Sequence, residues 1–102
     1  MADERDYFEA KKDNGKTRWD LVPWDCVEPL ADILTFGAQK YGEKSWQTVP
    51  NAQERYKAAL FRHLIAWCKG EKIDPESGRS HLHHALCNIV FMIHFENEEK
   101  KE

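Results

Sequence analysis

The sequence lacks the long hydrophobic runs of a membrane protein. No apolar stretch approaches the roughly 18–20 residues of a transmembrane helix. The polar N-terminal segment also has neither the apolar region nor the basic start of a signal peptide. We therefore expect no membrane partner and a cytoplasmic location.

Cysteine is scarce and follows no pairing pattern. The three cysteines, Cys26, Cys68 and Cys87, are an odd number, lie far apart and form no CxxC motif. Each lies within an apolar stretch, so we expect reduced, buried thiols rather than disulfides.

An excess of positive charge is missing as well. The 15 Lys and Arg residues face 18 Asp and Glu residues, which gives a formal net charge of -3. We therefore expect no binding to a nucleic-acid polymer through an overall basic field, and an anionic ligand needs local cations. The patterns GxSxG, GxxxxGK[ST] and GxGxxG are also absent, which argues against a covalent mechanism and against the common phosphate and dinucleotide loops.

What remains is one small soluble domain. A chain of 102 residues with 41% hydrophobic and 32% charged residues has room for a single modest core. Residues 1–16 are predicted to form a flexible polar arm that ends in an Asn-Gly turn signal. Residues 17–96 are predicted to form the domain, and the charged tail 97–102 is expected to fray because it lacks apolar anchors.

Hydrophobic periodicity predicts three helices and no strand, hence a small all-α helical bundle. The predicted helices span residues 25–41, 53–69 and 81–95. Asp25 and Ser80 are acceptable N-caps, and Pro29 is placed in the first turn of the first helix. Because the second and third helices are apolar on several sides, we expect the bundle to be completed by homo-oligomerisation.

Residues capable of chemistry concentrate around the last two predicted helices. They are His63, the loop carboxylates Glu71, Asp74 and Glu76, and His81, His84 and Asn88 on the third helix. Imidazole and carboxylate groups gathered in this way could bind a divalent metal ion or act as acid and base around a phosphate ester. The structural alternative is a set of core histidines bonded to loop carboxylates.

Two further groups of residues are candidates on the first half of the chain. Glu28 and Asp32, four residues apart, could ligate Mg²⁺ or Mn²⁺, although such a pair can also belong to a solvated helix face. The second group combines cations with aromatic rings, a combination suited to phosphate capture and base stacking. It comprises Lys16, Arg18, Lys40, Trp24, Tyr41 and Trp46. The alternative is that the aromatic residues fill the core and the lysines serve solubility.

The blocks GKTRWDLVPWD, FGAQKYGEKSW and EKIDPESGRSHLHHA resemble the phage-associated family of dATP/dGTP diphosphohydrolase N-terminal domains, over about residues 12–95. That family is similar to the MazG-like all-α pyrophosphohydrolases, which split a nucleoside triphosphate into monophosphate and pyrophosphate. The resemblance implies Mg²⁺ or Mn²⁺ held by clustered carboxylates, and the host cytoplasm as location if the chain is phage-encoded. The sequence departs from the usual ExxE and ExxD pairs, because the third helix offers His81, His84 and Asn88 instead.

Two functional hypotheses follow from the residues and the resemblance together. The first is a dNTP pyrophosphohydrolase, with catalytic roles for Glu28, Asp32, His63 and His84, and metal ligands Glu28, Asp32, Glu71 and Asp74. Its nucleotide contacts are Lys16, Arg18, Trp24, Lys40, Tyr41, Trp46, His81 and Asn88. The second is a non-catalytic oligomer that sequesters a nucleotide or cyclic-nucleotide immune signal and needs no cofactor. A structural protein without any ligand is a third reading.

Overall fold

The computed structural model describes residues 14–101, and within this range it is an all-α structure, as predicted. The helices are α1 (Trp24–Tyr41), α2 (Ala52–Cys68) and α3 (His81–Lys100). Two short 3-10 helices, Trp19–Leu21 and Ser45–Thr48, precede and follow α1. The predicted arm lies almost wholly outside the described residues. No helix of residues 14–101 has the length and apolar character needed to cross a membrane.

Helix α1 begins one residue earlier than predicted, and Asp25 is not its N-cap. The N-cap position is held by Pro23, which makes no side-chain capping bond, while its carbonyl accepts from Cys26 N at 2.8 Å. Pro29 consequently lies inside the helix rather than in its first turn. Because proline has no N–H, the carbonyl four residues earlier loses its helical partner. The helix ends as predicted, at Gly42, whose φ of 103° is ill suited to a residue with a side chain.

Helices α2 and α3 pack along each other, whereas α1 touches α3 over a shorter stretch. A groove therefore lies between α1 and α2, with α3 as its floor. Ile33 of α1, Tyr56 of α2 and Phe91 of α3 line the same cavity in this groove.

The loop between α1 and α2 carries the main aromatic anchor of the fold. Trp46, in the 3-10 helix Ser45–Thr48, stacks on Phe91 of α3 at 4.5 Å between ring centroids. Its carbonyl accepts a hydrogen bond from Tyr56 Oη at 2.6 Å. Trp46 is thus half-buried between the loop and two helices, a packing role close to the structural alternative considered for it.

The single chain buries few side chains. Among the described residues, Ala52, Ala85, Cys87, His81 and Asn88 are buried. Large apolar side chains stay exposed on α2 and α3, including Phe61, Ile65, Leu82, Ile89 and Ile93. A helical bundle shared between chains would cover this exposed apolar surface. Oligomerisation stays a prediction.

The cysteine prediction is right about the free thiols and wrong about burial at two positions. All three cysteines are free, but Cys26 and Cys68 are exposed and only Cys87 is buried. The reason is that α1 and α2 each have faces that no other element within residues 14–101 covers. Burial raises the pKa of Cys87 to about 11, so its thiol is protonated and poorly nucleophilic at neutral pH.

Residues 97–100 of the predicted charged tail belong to α3. The helix extends to Lys100, and ion pairs join Glu96 to Lys100 at 3.6 Å and Glu98 to Lys101 at 3.0 Å. Side chains three or four residues apart on a helix are neighbours, so these pairs extend the helix without apolar anchors.

The cap of α3 gives a first prediction. Ser80 is the N-cap of α3, as predicted, and its Oγ accepts from Leu82 N at 3.1 Å. We expect Ser80→Ala to lower the free energy of unfolding by about 1 kcal/mol, measured by urea denaturation. Thr35→Ala is the control, because Thr35 Oγ1 only bonds Ala31 O within α1 and alanine is the better helix former there. Equal stability of Ser80→Ala and wild type would contradict the prediction.

Candidate functional site

Three histidines meet where α2 faces the start of α3. The Nδ1 atoms of His63 and His81 lie 2.8 Å apart, and the rings of His63 and His84 stack at 4.6 Å with 17° between their planes. His81 and His84 share a helix face because they are three residues apart. The predicted histidine cluster is therefore present in the structure.

Glu71 joins the cluster from the loop that connects α2 and α3. Its Oε1 lies 2.7 Å from His81 Nε2. The His81 side chain is only 6% exposed, whereas that of Glu71 is 55% exposed. A buried imidazole needs partners for both nitrogens, and His81 has them in Glu71 and His63.

Asp74 and Ser77 connect the same loop to His84. Ser77 Oγ donates to Asp74 Oδ2 at 2.9 Å and lies 2.7 Å from His84 Nε2. The loop is closed by the backbone bonds of Asp74 N to Arg79 O and Gly78 N to Asp74 O, both 2.8 Å. Gly78 has a φ of 74°, which glycine adopts without strain.

The cluster changes the protonation of its members. Burial lowers the pKa of His63, and the nearby His84 and His81 lower it further. Burial also lowers the pKa of His84, against the opposing effect of the Asp74 carboxylate. Burial opposes ionisation of Asp74, but hydrogen bonds from Ser77 Oγ and Glu76 N outweigh it, so the pKa of Asp74 is lowered as well.

These lowered histidine pKa values predict a stability that falls in mild acid. The unfolded chain binds protons at His63 and His84 near pH 6.5, while the folded chain binds them only at lower pH. The contribution to stability is therefore complete above pH 6.5 and is lost as the pH falls through the folded values. We expect the double variant His63→Gln/His84→Gln to show a shallower loss of Tm between about pH 7 and about pH 5. His94→Gln is the control, because His94 lies against Trp46 and outside the cluster. It should keep the wild-type slope; an equally shallow slope there would contradict the assignment.

His63 and His84 border a cavity of about 490 Å³ that cationic side chains also line. Lys40 of α1 and Arg79 of the loop line it, together with the Phe36 ring. Lys40 was predicted as a phosphate contact, whereas sequence reasoning missed Arg79 and Phe36. The sequence shows that Arg79 immediately precedes the N-cap of α3. Whether Arg79 lines the cavity depends on how the loop folds, which the sequence pattern does not show.

A second, largely apolar cavity of about 380 Å³ adjoins the groove. Tyr41 and Trp46 line it together with Gly37 and Phe91. The Lys40 ammonium lies 5.0 Å from the centroid of the Tyr41 ring, which places this predicted cation and aromatic pair side by side.

The remaining predicted nucleotide contacts have other surroundings. Arg18 Nη2 pairs with Asp20 Oδ2 at 2.8 Å, and Trp24 is 55% exposed. Lys16 lies in the exposed turn before the first 3-10 helix. Asn88 is buried, lines the groove and donates from Nδ2 to His84 O at 2.8 Å, so its amide is held in place by the helix.

The carboxylates predicted as metal ligands lie apart from one another within residues 14–101. Glu71 is engaged with His81, Asp74 is engaged with its own loop, and Glu28 and Asp32 are exposed on α1. Nowhere in residues 14–101 do three His, Cys, Asp or Glu side chains converge in a geometry that fits a metal ion. We therefore assign no chemical step to Mg²⁺ or Mn²⁺.

Comparison with known proteins agrees with the predicted resemblance. The profile of a family described as dATP/dGTP diphosphohydrolase, N-terminal, matches residues 8–102. A dATP/dGTP diphosphohydrolase of Salmonella phage PMBT28 is 34% identical over 82 residues, which are 80% of this chain and 28% of that protein. No solved structure matches the chain. The relative is named a hydrolase, which gives no support to the sequestration hypothesis. The chain belongs to the dATP/dGTP diphosphohydrolase N-terminal family.

Proposed function

We propose that this chain binds a purine deoxynucleoside triphosphate in the cavity of about 490 Å³ and takes part in its hydrolysis to monophosphate and pyrophosphate. The observation that carries the proposal is that Lys40, Arg79, His63 and His84 line one cavity in a member of this family. Because the chain spans 28% of its relative's length, the hydrolysis reaction is the part that needs testing first.

The charges around the cavity suit a triphosphate. Lys40 and Arg79 approach from different elements, so the phosphates would be held between α1 and the loop before α3. The negative charges of Asp74 and Glu76 line the same space. Asp74 accepts hydrogen bonds from Ser77 Oγ and Glu76 N. Within residues 14–101 no ion pair joins Lys40 or Arg79 to a carboxylate, so both cations can meet the phosphates.

The apolar side of the groove suits a base. Phe36 is 56% exposed and lines the cationic cavity, which leaves its ring available for stacking on a purine. Trp46 is the less suitable platform because Phe91 already covers one of its faces.

The experiment incubates the full chain with dATP, dGTP, the other dNTPs and the NTPs, with Mg²⁺ or Mn²⁺ or with EDTA. Chromatography separates the nucleotides while the melting temperature is followed. We expect dATP and dGTP to raise the melting temperature and to be converted to monophosphate and pyrophosphate. Stabilisation with unchanged nucleotide would support binding but contradict hydrolysis. No stabilisation and no product would contradict both.

We further propose that the working form is a homo-oligomer that covers the exposed apolar side chains of α2 and α3. Ile89 and Ile93, one turn apart on α3, are 42% and 51% exposed. We expect sedimentation equilibrium to give a mass above 12.0 kDa for wild type and a smaller mass for Ile89→Lys/Ile93→Lys. Leu21→Lys, at a 68% exposed apolar position in the 3-10 helix before α1, is the control and should keep the wild-type mass. A monomeric wild type would contradict this proposal.

A further inference from the structure

Three side chains form a continuous hydrogen-bonded series from the loop to the cavity. Glu71 Oε1 lies 2.7 Å from His81 Nε2, and His81 Nδ1 lies 2.8 Å from His63 Nδ1. His63 lines both the cationic cavity and the groove. His81 between them is buried and thus sheltered from water. The series therefore connects an exposed carboxylate to the cavity through a buried imidazole.

The hydrogen bonds of this series determine which ring nitrogens carry protons. An ionised carboxylate only accepts hydrogen bonds, so the proton of the Glu71 contact belongs to His81 Nε2. In a neutral imidazole the other nitrogen is then the acceptor, so His81 Nδ1 accepts from His63 Nδ1. The second nitrogen of His63, Nε2, is left with a free lone pair.

We propose that His63 Nε2 accepts the proton of the water that attacks the bound nucleotide, and that Glu71 and His81 are positioning residues for it. This inference rests on the proposed function. As the water oxygen bonds to the α-phosphorus, one water proton passes to His63 Nε2. The bond between the α-phosphorus and the bridging oxygen breaks, and pyrophosphate leaves with that oxygen. The proton is then returned to solvent, which regenerates neutral His63.

The positioning residues support this role in two ways. They hold His63 in the tautomer with a free Nε2, which is the form that can accept a proton. When His63 Nε2 is protonated, the proton on His63 Nδ1 still points at His81 Nδ1. If that proton moves to His81, the positive charge of His81 lies beside the Glu71 carboxylate. A base backed by a carboxylate in this way is oriented as well as stabilised.

His84 is held by the loop before α3 and supports the ring of His63. Its Nε2 lies 2.7 Å from Ser77 Oγ, and Ser77 Oγ donates its own proton to Asp74. The His84 Nε2 atom therefore donates to Ser77, and the lone pair of the neutral ring lies on Nδ1. Its ring lies parallel to that of His63 at 4.6 Å, which fixes the plane of the His63 ring.

The first test is spectroscopic and does not depend on turnover. Long-range ¹H–¹⁵N spectra of the ¹⁵N-labelled full chain distinguish protonated from unprotonated imidazole nitrogens. We expect His63 to carry its proton on Nδ1 in wild type and in the control Glu96→Gln. In Glu71→Ala the His81 tautomer is released, and we expect His63 to become a mixture of both forms. A wild-type His63 protonated on Nε2 alone would overturn the inference.

The second test separates catalysis from binding. With dATP we expect His63→Gln to lower kcat by about 100-fold or more, with KM changed by less than about threefold. Glu71→Ala should lower kcat by about tenfold or more, and Glu71→Gln, which retains an acceptor oxygen, should recover part of the loss. Cooperative thermal unfolding establishes that each variant is folded. If His63→Gln does not fold, the comparison of Glu71→Ala with Glu71→Gln tests the inference. Full kcat in the folded variants of an active protein overturns the inference alone, whereas an inactive wild type overturns the proposed hydrolysis.

Discussion

Replacing Trp46 with alanine is expected to lower the free energy of unfolding by about 3 kcal/mol or more. The ring stacks on Phe91 at 4.5 Å and meets His94 and Phe95 edge-on at 4.8 and 6.3 Å. Its loss would also loosen the loop whose carbonyl accepts from Tyr56. Because so few side chains are buried in the described residues, this loss is large relative to the total stability of a small domain. Urea denaturation followed by far-UV circular dichroism measures it.

Trp19→Ala is the matched control for Trp46→Ala. Trp19 is a tryptophan of the same size but is 67% exposed in the 3-10 helix before α1. We expect its replacement to change stability by less than about 0.5 kcal/mol. If both variants lost similar stability, the aromatic cluster around Trp46 would not be the main anchor of the loop.

The second large effect concerns nucleotide affinity. We expect Lys40→Ala/Arg79→Ala to raise the Kd for dATP by about 100-fold. Each cation is expected to make a charge-assisted hydrogen bond to phosphate, and each such bond contributes at least about 1.5 kcal/mol. Isothermal titration calorimetry measures the change, and the loss should be greatest at low ionic strength because salt screens the attraction.

A double variant with the same change in net charge provides the comparison. Lys57 pairs with Glu54 on α2, and Lys101 pairs with Glu98 beyond the end of α3. We expect Lys57→Ala/Lys101→Ala to leave the Kd for dATP within about threefold of wild type, since exposed pairs contribute little. A similar weakening in both double variants would show that overall charge, and not the cavity, governs binding.

Local sequence patterns were sufficient for the helices but not for all of the site. The apolar periodicity placed α2 and α3 to within a residue at their starts, and Ser80 capped α3 as its side chain predicted. The histidine cluster could also be predicted from the sequence. His81 and His84 share one helix face, and His63 on an apolar helix needs polar partners. These features depend on residues close in sequence.

The rest of the site depends on how the loop before α3 folds back. Arg79 enters the cavity because the loop closes on itself between Asp74 and Arg79, and no periodicity encodes that closure. The sequence around Trp46 is compatible both with stacking on a ligand and with packing inside the protein. The structure distinguishes the two, because Trp46 stacks on Phe91. The burial of Cys26 and Cys68 was misjudged because an apolar neighbourhood in sequence does not show whether another helix covers it.

The loose attachment of α1 has a consequence for how affinity should be interpreted. Lys40 and Phe36 reach the cavity from α1, while Arg79 and His63 belong to the part of the chain formed by α2, the loop and α3. A ligand that bridges these two parts must also hold α1 in place, so the entropy lost in restraining α1 is included in the measured Kd. Substitutions along the contact of α1 with α3 can therefore shift affinity without altering any atom that the nucleotide touches.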